Sequence, residues 1–149
     1  MALAAPAAKA LAAANPPVIL VLGDSLSAEY GIARGSGWVA LLQHKLADEK
    51  IAAQVANASI SGDTTSGGRA RLPALLKKHH PAVVVIELGG NDALRGLPLA
   101  MTEANLNAMT QAAQQAGAKV LLAGRPLPGT CGARDGPRLG GAFSPGGRA

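Results

Sequence analysis

The strongest constraint on the fold is the apolar run Val18–Leu22, which is followed at once by Gly-Asp-Ser-Leu-Ser at 23–27. A short run rich in β-branched residues and bounded by turn residues is typical of a strand buried on both faces of a parallel sheet. Ser25 then stands where the chain turns into its next element, and open α/β sheets hold their ligands at that edge. If a helix begins there, its free N–H groups favour a developing negative charge. Ser25 is therefore a candidate nucleophile, and the alternative is a serine that merely caps a turn or helix.

Apolar runs and helical periodicities alternate along the rest of the chain, a pattern that predicts an α/β fold with a mostly parallel sheet. The predicted strands are Val18–Leu22, Ile51–Ala56, Ala82–Leu88 and Ala118–Ala123. The first predicted helix covers 37–48, with a cap at Ser36 and a buried face at Trp38, Leu41, Leu42 and Leu46. The second covers 68–80, with caps at 64–66, and the third covers 102–116, with a cap at Thr102.

Two further polar motifs directly follow predicted strands. Residues 57–63 read Asn-Ala-Ser-Ile-Ser-Gly-Asp, and residues 87–92 read Glu-Leu-Gly-Gly-Asn-Asp. With the motif at 23–27, they resemble the first three sequence blocks of the SGNH, or GDSL, hydrolases. The similarity is greatest to the bacterial thioesterase I, lysophospholipase and arylesterase branch, and it covers about Val18 to Ala123.

The resemblance implies a three-layer α/β/α flavodoxin-like fold and a serine esterase or thioesterase. It implies Ser25 as the nucleophile, with the N–H groups of Ser25 and Gly62 and the side-chain amide of Asn91 as oxyanion-hole donors. It implies acyl-CoA-like thioesters, lysophospholipids and aryl esters as substrates, without a cofactor or metal. For Asp24 and Asp92 we expect a structural role in orienting neighbouring loops.

The family's fourth block, Asp-x-x-His, has no counterpart in these residues, so the catalytic Asp and His are absent. From Gly124 to Ala149 the composition changes, because 12 of 26 residues are Gly or Pro against 17 of the preceding 123. We expect residues 18–123 to form an incomplete hydrolase domain that lacks its last strand and helix, and 124–149 to be an aberrant, disordered tail. A frameshift in a G/C-rich gene is a hypothesis for that composition.

The amino end, 1–17, is rich in Ala and Pro and reads as a flexible leader or a signal remnant. A basic n-region and an apolar h-region are not evident. The resemblance implies a periplasmic or secreted protein, whereas a true start at Met1 would indicate a cytoplasmic one.

Composition excludes several other classes of protein. The net charge is +5, but the basic residues are scattered and lack the interleaved aromatics that stack bases, which argues against nucleic-acid binding. No run reaches the ~20 apolar residues of a membrane span. We expect a monomer that acts on a small acyl ester or thioester.

The missing Asp-x-x-His block leaves a second hypothesis open, in which the chain is a catalytically dead fragment or a non-catalytic binding module. Within the enzyme class, a carbohydrate acetylesterase is the alternative. We expect Ser25-dependent hydrolysis to be weak, because the histidines are His44, His79 and His80, and the last two precede the third strand at the opposite edge of the sheet.

Overall fold

The computed structural model describes residues 14–124. Their centre is a four-stranded parallel sheet in the order β2-β1-β3-β4. The strands are β1 (Val18–Gly23), β2 (Gln54–Asn57), β3 (Val83–Glu87) and β4 (Lys119–Leu122). The predicted parallel α/β fold is therefore confirmed, and in the described range β4 forms one edge of the sheet because it pairs with β3 alone.

The second strand begins three residues later than the apolar run predicted. Lys50 takes a left-handed conformation with φ of 55° just after the first helix. The Ile51 N–H then donates to the carbonyl of Leu46 at 2.8 Å, which closes the end of that helix. Ile51 is thus used by the helix terminus, and pairing with β1 starts only at Gln54.

The helices are α1 (Trp38–Asp48), α2 (Thr65–His79), α3 (Gly90–Leu94) and α4 (Leu99–Gln115). Thr64 caps α2 as expected, because its side chain accepts a hydrogen bond from the Gly67 N–H. The other two predicted caps are wrong: Ser36 donates to the carbonyl of Ala33 instead, and Thr102 lies inside α4, where its hydroxyl donates to Asp92. The short helix α3 was not predicted.

Side chains alternate across the strands and build a separate core on each face of the sheet. On one face, Leu20, Leu22, Val84 and Ile86 pack against residues of α2 and α4. On the other face, Val21 and Val85 pack against Val39 of α1. These two cores make three layers, as the alternation of strands predicts.

The buried face of α1 differs from the predicted one. Val39 is buried, whereas Leu41 is 58% exposed and points away from the sheet. The helix therefore rests on a stripe that starts at Trp38 and Val39 and continues through the half-buried Leu42 and Leu46.

The expectations for the leader up to residue 13 and for the tail from residue 125 lie outside the described residues. Within residues 14–124, no helix has the length and apolar character needed to cross a membrane.

Candidate active site

Ser25 lies in a tight turn at the carboxyl end of β1 and is half-buried. The Asp24 carbonyl accepts hydrogen bonds from the N–H groups of Ser27 and Ala28, at 3.2 and 2.9 Å. The Asp24 carboxylate accepts a third from the Leu26 N–H at 3.0 Å. The chain around Ser25 is thus a turn whose form is set by Asp24, in agreement with the structural role expected for that residue.

Gly23 must be a glycine for this turn to form. A Cβ atom at this position would lie 2.6 Å from Ser27 Oγ and 2.7 Å from Ser27 Cβ. Real side chains do not approach so closely, and Ser27 is almost fully buried, so it has no room to move.

The second motif forms a loop after β2 that lies beside the Ser25 turn. The Ile60 N–H donates to the carbonyl of Gly23 at 3.0 Å, which ties this loop to the end of β1. Gly62 has φ of 79°, a conformation that presents its backbone without a Cβ penalty. Arg95 donates to the Gly62 carbonyl at 3.0 Å, and Arg71 donates to the Asp63 carboxylate at 2.6 Å. The loop that carries Gly62 is therefore fixed by two guanidinium groups.

Asn91 links the other two loops. It follows Gly89, which turns the chain sharply with φ of 113° after β3. The Asn91 Nδ2 donates to the Asp63 carbonyl at 2.9 Å and to Asp24 Oδ2 at 3.3 Å. Because Asp63 adjoins Gly62 and Asp24 adjoins Ser25, the structure brings the loops of all three predicted site residues together.

Asp92 supports this site from beneath and is not part of the site itself. Its side chain is buried and accepts hydrogen bonds from the Thr65 N–H at 2.8 Å, from the Thr65 hydroxyl and from the Thr102 hydroxyl at 3.0 Å. It therefore joins α3 to the beginning of α2 and to α4, as expected of a loop-orienting residue.

None of the three histidines is placed to serve Ser25 as a base. His79 ends α2 and His80 caps it, just before β3 begins, so both lie at the amino edge of the sheet. A five-residue strand separates the two edges by ~16 Å. His44 is exposed on α1, six residues beyond Trp38, or ~9 Å along the helix axis.

Sequence reasoning missed two polar residues beside the Ser25 turn. Ser27 is 1% exposed, and its hydroxyl donates to Glu87 Oε2 at 2.8 Å and accepts from Trp38 Nε1 at 2.9 Å. Burial raises the pKa of Glu87 to about 7, helped by the charge of Asp24, although the Ser27 hydrogen bond opposes the shift. The available signal was that Glu87 is the one charged residue in an apolar strand.

Glu87 also lines an open cavity of about 460 Å³ on the α1 side of the sheet. Its lining is otherwise apolar: Leu26, Trp38, Leu42, Val85, Leu121, Ala123 and Gly124. Leu26 adjoins Ser25 in sequence, but Ser25, Gly62 and Asn91 do not line this cavity. Among residues 14–124, no group of three or more His, Cys, Asp or Glu side chains could hold a metal ion.

The chain is also similar in sequence and fold to known proteins. Residues 21–143 match the sequence model of the GDSL-like lipase/acylhydrolase family, so the match runs past Ala123, where the motif resemblance ended. The chain is 59% identical over 116 residues to Esterase TesA of Pseudomonas aeruginosa, an alignment that covers 78% of this chain and 58% of that protein. It is 48% identical over 122 residues to Thioesterase 1/protease 1/lysophospholipase L1 of Escherichia coli K12, with 82% of this chain and 57% of that protein covered.

Among solved structures, a crystal structure of TesA superposes with a TM-score of 0.76 and 56% identity, covering 85% of this chain and 68% of that one. The 149 residues span less than two thirds of the length of the two sequence relatives, at 58% and 57%.

Proposed function

This chain belongs to the GDSL-like lipase/acylhydrolase family, and we propose that it hydrolyses acyl esters or acyl thioesters through an acyl-Ser25 intermediate. One observation carries the proposal: the Asn91 amide bonds both to Asp24, next to Ser25, and to Asp63, next to Gly62. Three loops from three strands thereby meet at one edge of the sheet. The names of the relatives, an esterase and a thioesterase 1/lysophospholipase L1, support the same chemistry.

In the proposed reaction, Ser25 Oγ bonds to the carbonyl carbon as its proton passes to water, and the tetrahedral intermediate then expels the alcohol or thiol, which takes a proton from water. The acyl-Ser25 that remains is cleaved by a second water to the free acid and Ser25. The N–H groups of Ser25 and Gly62 and the Nδ2 of Asn91 donate to the oxyanion of the tetrahedral intermediate, and each such donor is worth ~10²–10³ in rate. The Asn91 bond to Asp24 is the longer of its two, at 3.3 Å, so it is the one that the oxyanion would replace.

We expect the hydrolysis by these 149 residues to be weak. Serine needs a base within hydrogen-bond reach to become a good nucleophile at neutral pH, and the histidines stand at the other sheet edge or on the exposed side of α1. Loss of the base costs up to ~10⁶ in turnover, while an oxyanion hole and binding alone retain ~10³–10⁴ over water. The position of the three histidines away from Ser25 also favours a second candidate function, in which the chain binds acyl groups without hydrolysing them.

The cavity beside Leu26 bears on the substrate. We propose that the acyl group occupies this cavity, whose lining is apolar apart from Glu87, and we therefore expect aliphatic or aryl acyl esters to react faster than acetyl esters. A series of p-nitrophenyl esters from acetate to decanoate tests this, with rates per enzyme expected to rise beyond acetate.

The decisive experiment is a burst assay with p-nitrophenyl butyrate at protein concentrations comparable to substrate. We expect a release of p-nitrophenol that the Ser25→Ala variant lacks. Ser36→Ala is the matched control, because Ser36 is exposed and bonds only to its own loop at Ala33. Equal release from the wild-type and Ser25→Ala proteins would overturn the proposal, and an acylated Ser25 that never deacylates would favour the binding module.

By resemblance to the family, we also propose that the protein acts as a monomer in the periplasm or outside the cell. Sedimentation and fractionation of the producing bacterium test the two parts. A stable dimer or retention in the cytoplasm would contradict them.

A further inference from the structure

Ser27 ties the turn that carries Ser25 to three other elements of the fold. Its hydroxyl bonds to Glu87 at the end of β3 and to Trp38 at the start of α1, at 2.8 and 2.9 Å. Its backbone carbonyl accepts from Asn57 Nδ2 at the end of β2, at 2.7 Å. A residue two positions after the candidate nucleophile thus fixes the turn from three sides.

The direction of these hydrogen bonds follows from the groups themselves. The indole N–H of Trp38 can only donate, so the Ser27 oxygen accepts from it. The one proton of the Ser27 hydroxyl is then directed to Glu87 Oε2. The result is a chain of donors from Trp38 through Ser27 to Glu87, which is strongest when Glu87 is an ionised carboxylate.

We propose that Glu87 is a positioning residue that holds the nucleophile turn in place by accepting the hydrogen bond from Ser27, with Trp38 as the second anchor. Glu87 has no role in the proposed chemistry and acts on Ser25 only through the turn. This role depends on the proposed function only because it serves Ser25, since the contacts of Ser27 are present whatever reaction Ser25 performs.

The protonation state of Glu87, and with it the hydrogen bond from Ser27, changes near neutral pH. The pKa of Glu87 is raised to about 7, chiefly by burial. The charged side chain that acts on it in the described residues is Asp24, while α1 and β4 face the cavity with Trp38, Leu42 and Leu121, which carry no charge. Below pH 7 the neutral carboxyl is a weaker acceptor, so the Ser27 bond weakens and the turn loosens locally, even though protonation removes a buried charge and so stabilises the fold as a whole.

Trp38 reports this state directly, because it is the one tryptophan of the sequence. We expect its fluorescence to change in a single step between pH 5 and 9, with a midpoint near 7. The isosteric variant Glu87→Gln should lose the step. Ser27→Ala should move the midpoint upward, because the Ser27 hydrogen bond lowers the pKa of Glu87. His44→Gln is the matched control, since it replaces an exposed ionisable side chain on the same helix, and it should keep the step.

The second measurement follows the turn itself by hydrogen exchange and mass spectrometry at pH 8. Loss of a hydrogen bond to a charged group should speed exchange of a peptide covering 24–30 about tenfold or more in Glu87→Ala. A peptide from α4 should not change, nor should the turn in Glu49→Ala, which removes an exposed glutamate of comparable size.

A fluorescence step that persists in Glu87→Gln, or that disappears in His44→Gln, would overturn the proposal, as would unchanged exchange of the turn in Glu87→Ala. If Glu87→Ala does not fold, the exchange of Glu87→Gln against wild type at pH 8 decides, with faster exchange expected. Failure of the burst assay would leave these results unaffected, so the two proposals fail separately.

Discussion

Replacement of Asp92 by alanine should be among the most damaging single changes in the described part of the chain. The Asp92 carboxylate meets the first residue of α2, Thr65, and accepts from its N–H at 2.8 Å and from its hydroxyl. An anion at a helix N-terminus also interacts favourably with the helix dipole. The same carboxylate accepts from the Thr102 hydroxyl of α4 at 3.0 Å. Its removal therefore detaches α3 from two helices at once.

The size of the stability loss follows from the hydrogen-bond donors that lose their acceptor when Asp92 is removed. Thr65, Thr102 and Asp92 are all at most 2% exposed, so water does not replace the lost acceptor. A stranded buried donor costs ~1–3 kcal/mol. The two hydroxyls can rotate toward other partners but the Thr65 N–H cannot, so we expect a loss of about 3–5 kcal/mol in the free energy of unfolding. For a domain of this size that is a drop of roughly 10–20 °C in Tm.

Urea unfolding followed by circular dichroism measures this loss. Thr102→Val is the matched control, because it removes one of the three donors with little change in volume, and it should cost about 1 kcal/mol. The reasoning would be refuted if Asp92→Ala unfolded within 1 kcal/mol of the wild type, or if it were no less stable than Thr102→Val.

Three further outcomes are expected. Gly23→Ala should lower the free energy of unfolding by ~1–3 kcal/mol, because its Cβ would lie 2.6 Å from Ser27 Oγ. Gly90→Ala, whose Cβ would lie 3.6 Å from its nearest neighbour, should not lower it, and thermal melts of the two variants test this. Folding raises the pKa of Glu87 from 4.5 to about 7, so its protonated form stabilises the fold. That stabilisation is complete below pH 4.5 and is lost as pH rises through about 7, and Glu87→Gln should flatten this part of a denaturation profile. Asn91→Ala should slow the p-nitrophenol burst by ~10²–10³ with an unchanged far-ultraviolet spectrum, and an unaltered burst would exclude Asn91 from the oxyanion hole.

Local patterns were enough to predict the sheet. The runs at Val18–Leu22 and Ala82–Leu88 are mostly apolar and bounded by turn residues, so β1 differs from its run by one residue at the carboxyl end and β3 by one residue at each end. Strands that alternate with helices must run parallel, and their carboxyl ends then share one edge. The motifs around Ser25, Gly62 and Asn91 follow strand ends, so their meeting at that edge was already implicit in the sequence, although their catalytic roles stay predictions.

Only the tertiary structure decided which side chains contact each other within that edge. Asn91 is 67 residues from Asp24, and Glu87 is 60 residues from Ser27. Such pairs produce no periodic pattern in the sequence, because each partner taken alone is a residue type that is ordinary in a turn or a strand. The same limit explains the wrong cap at Thr102, whose preference for a helix end was outweighed by a buried carboxylate on another helix. A sequence determines local conformation through backbone preferences and apolar spacing, whereas the pairing of distant polar groups is settled only when packing excludes water from both.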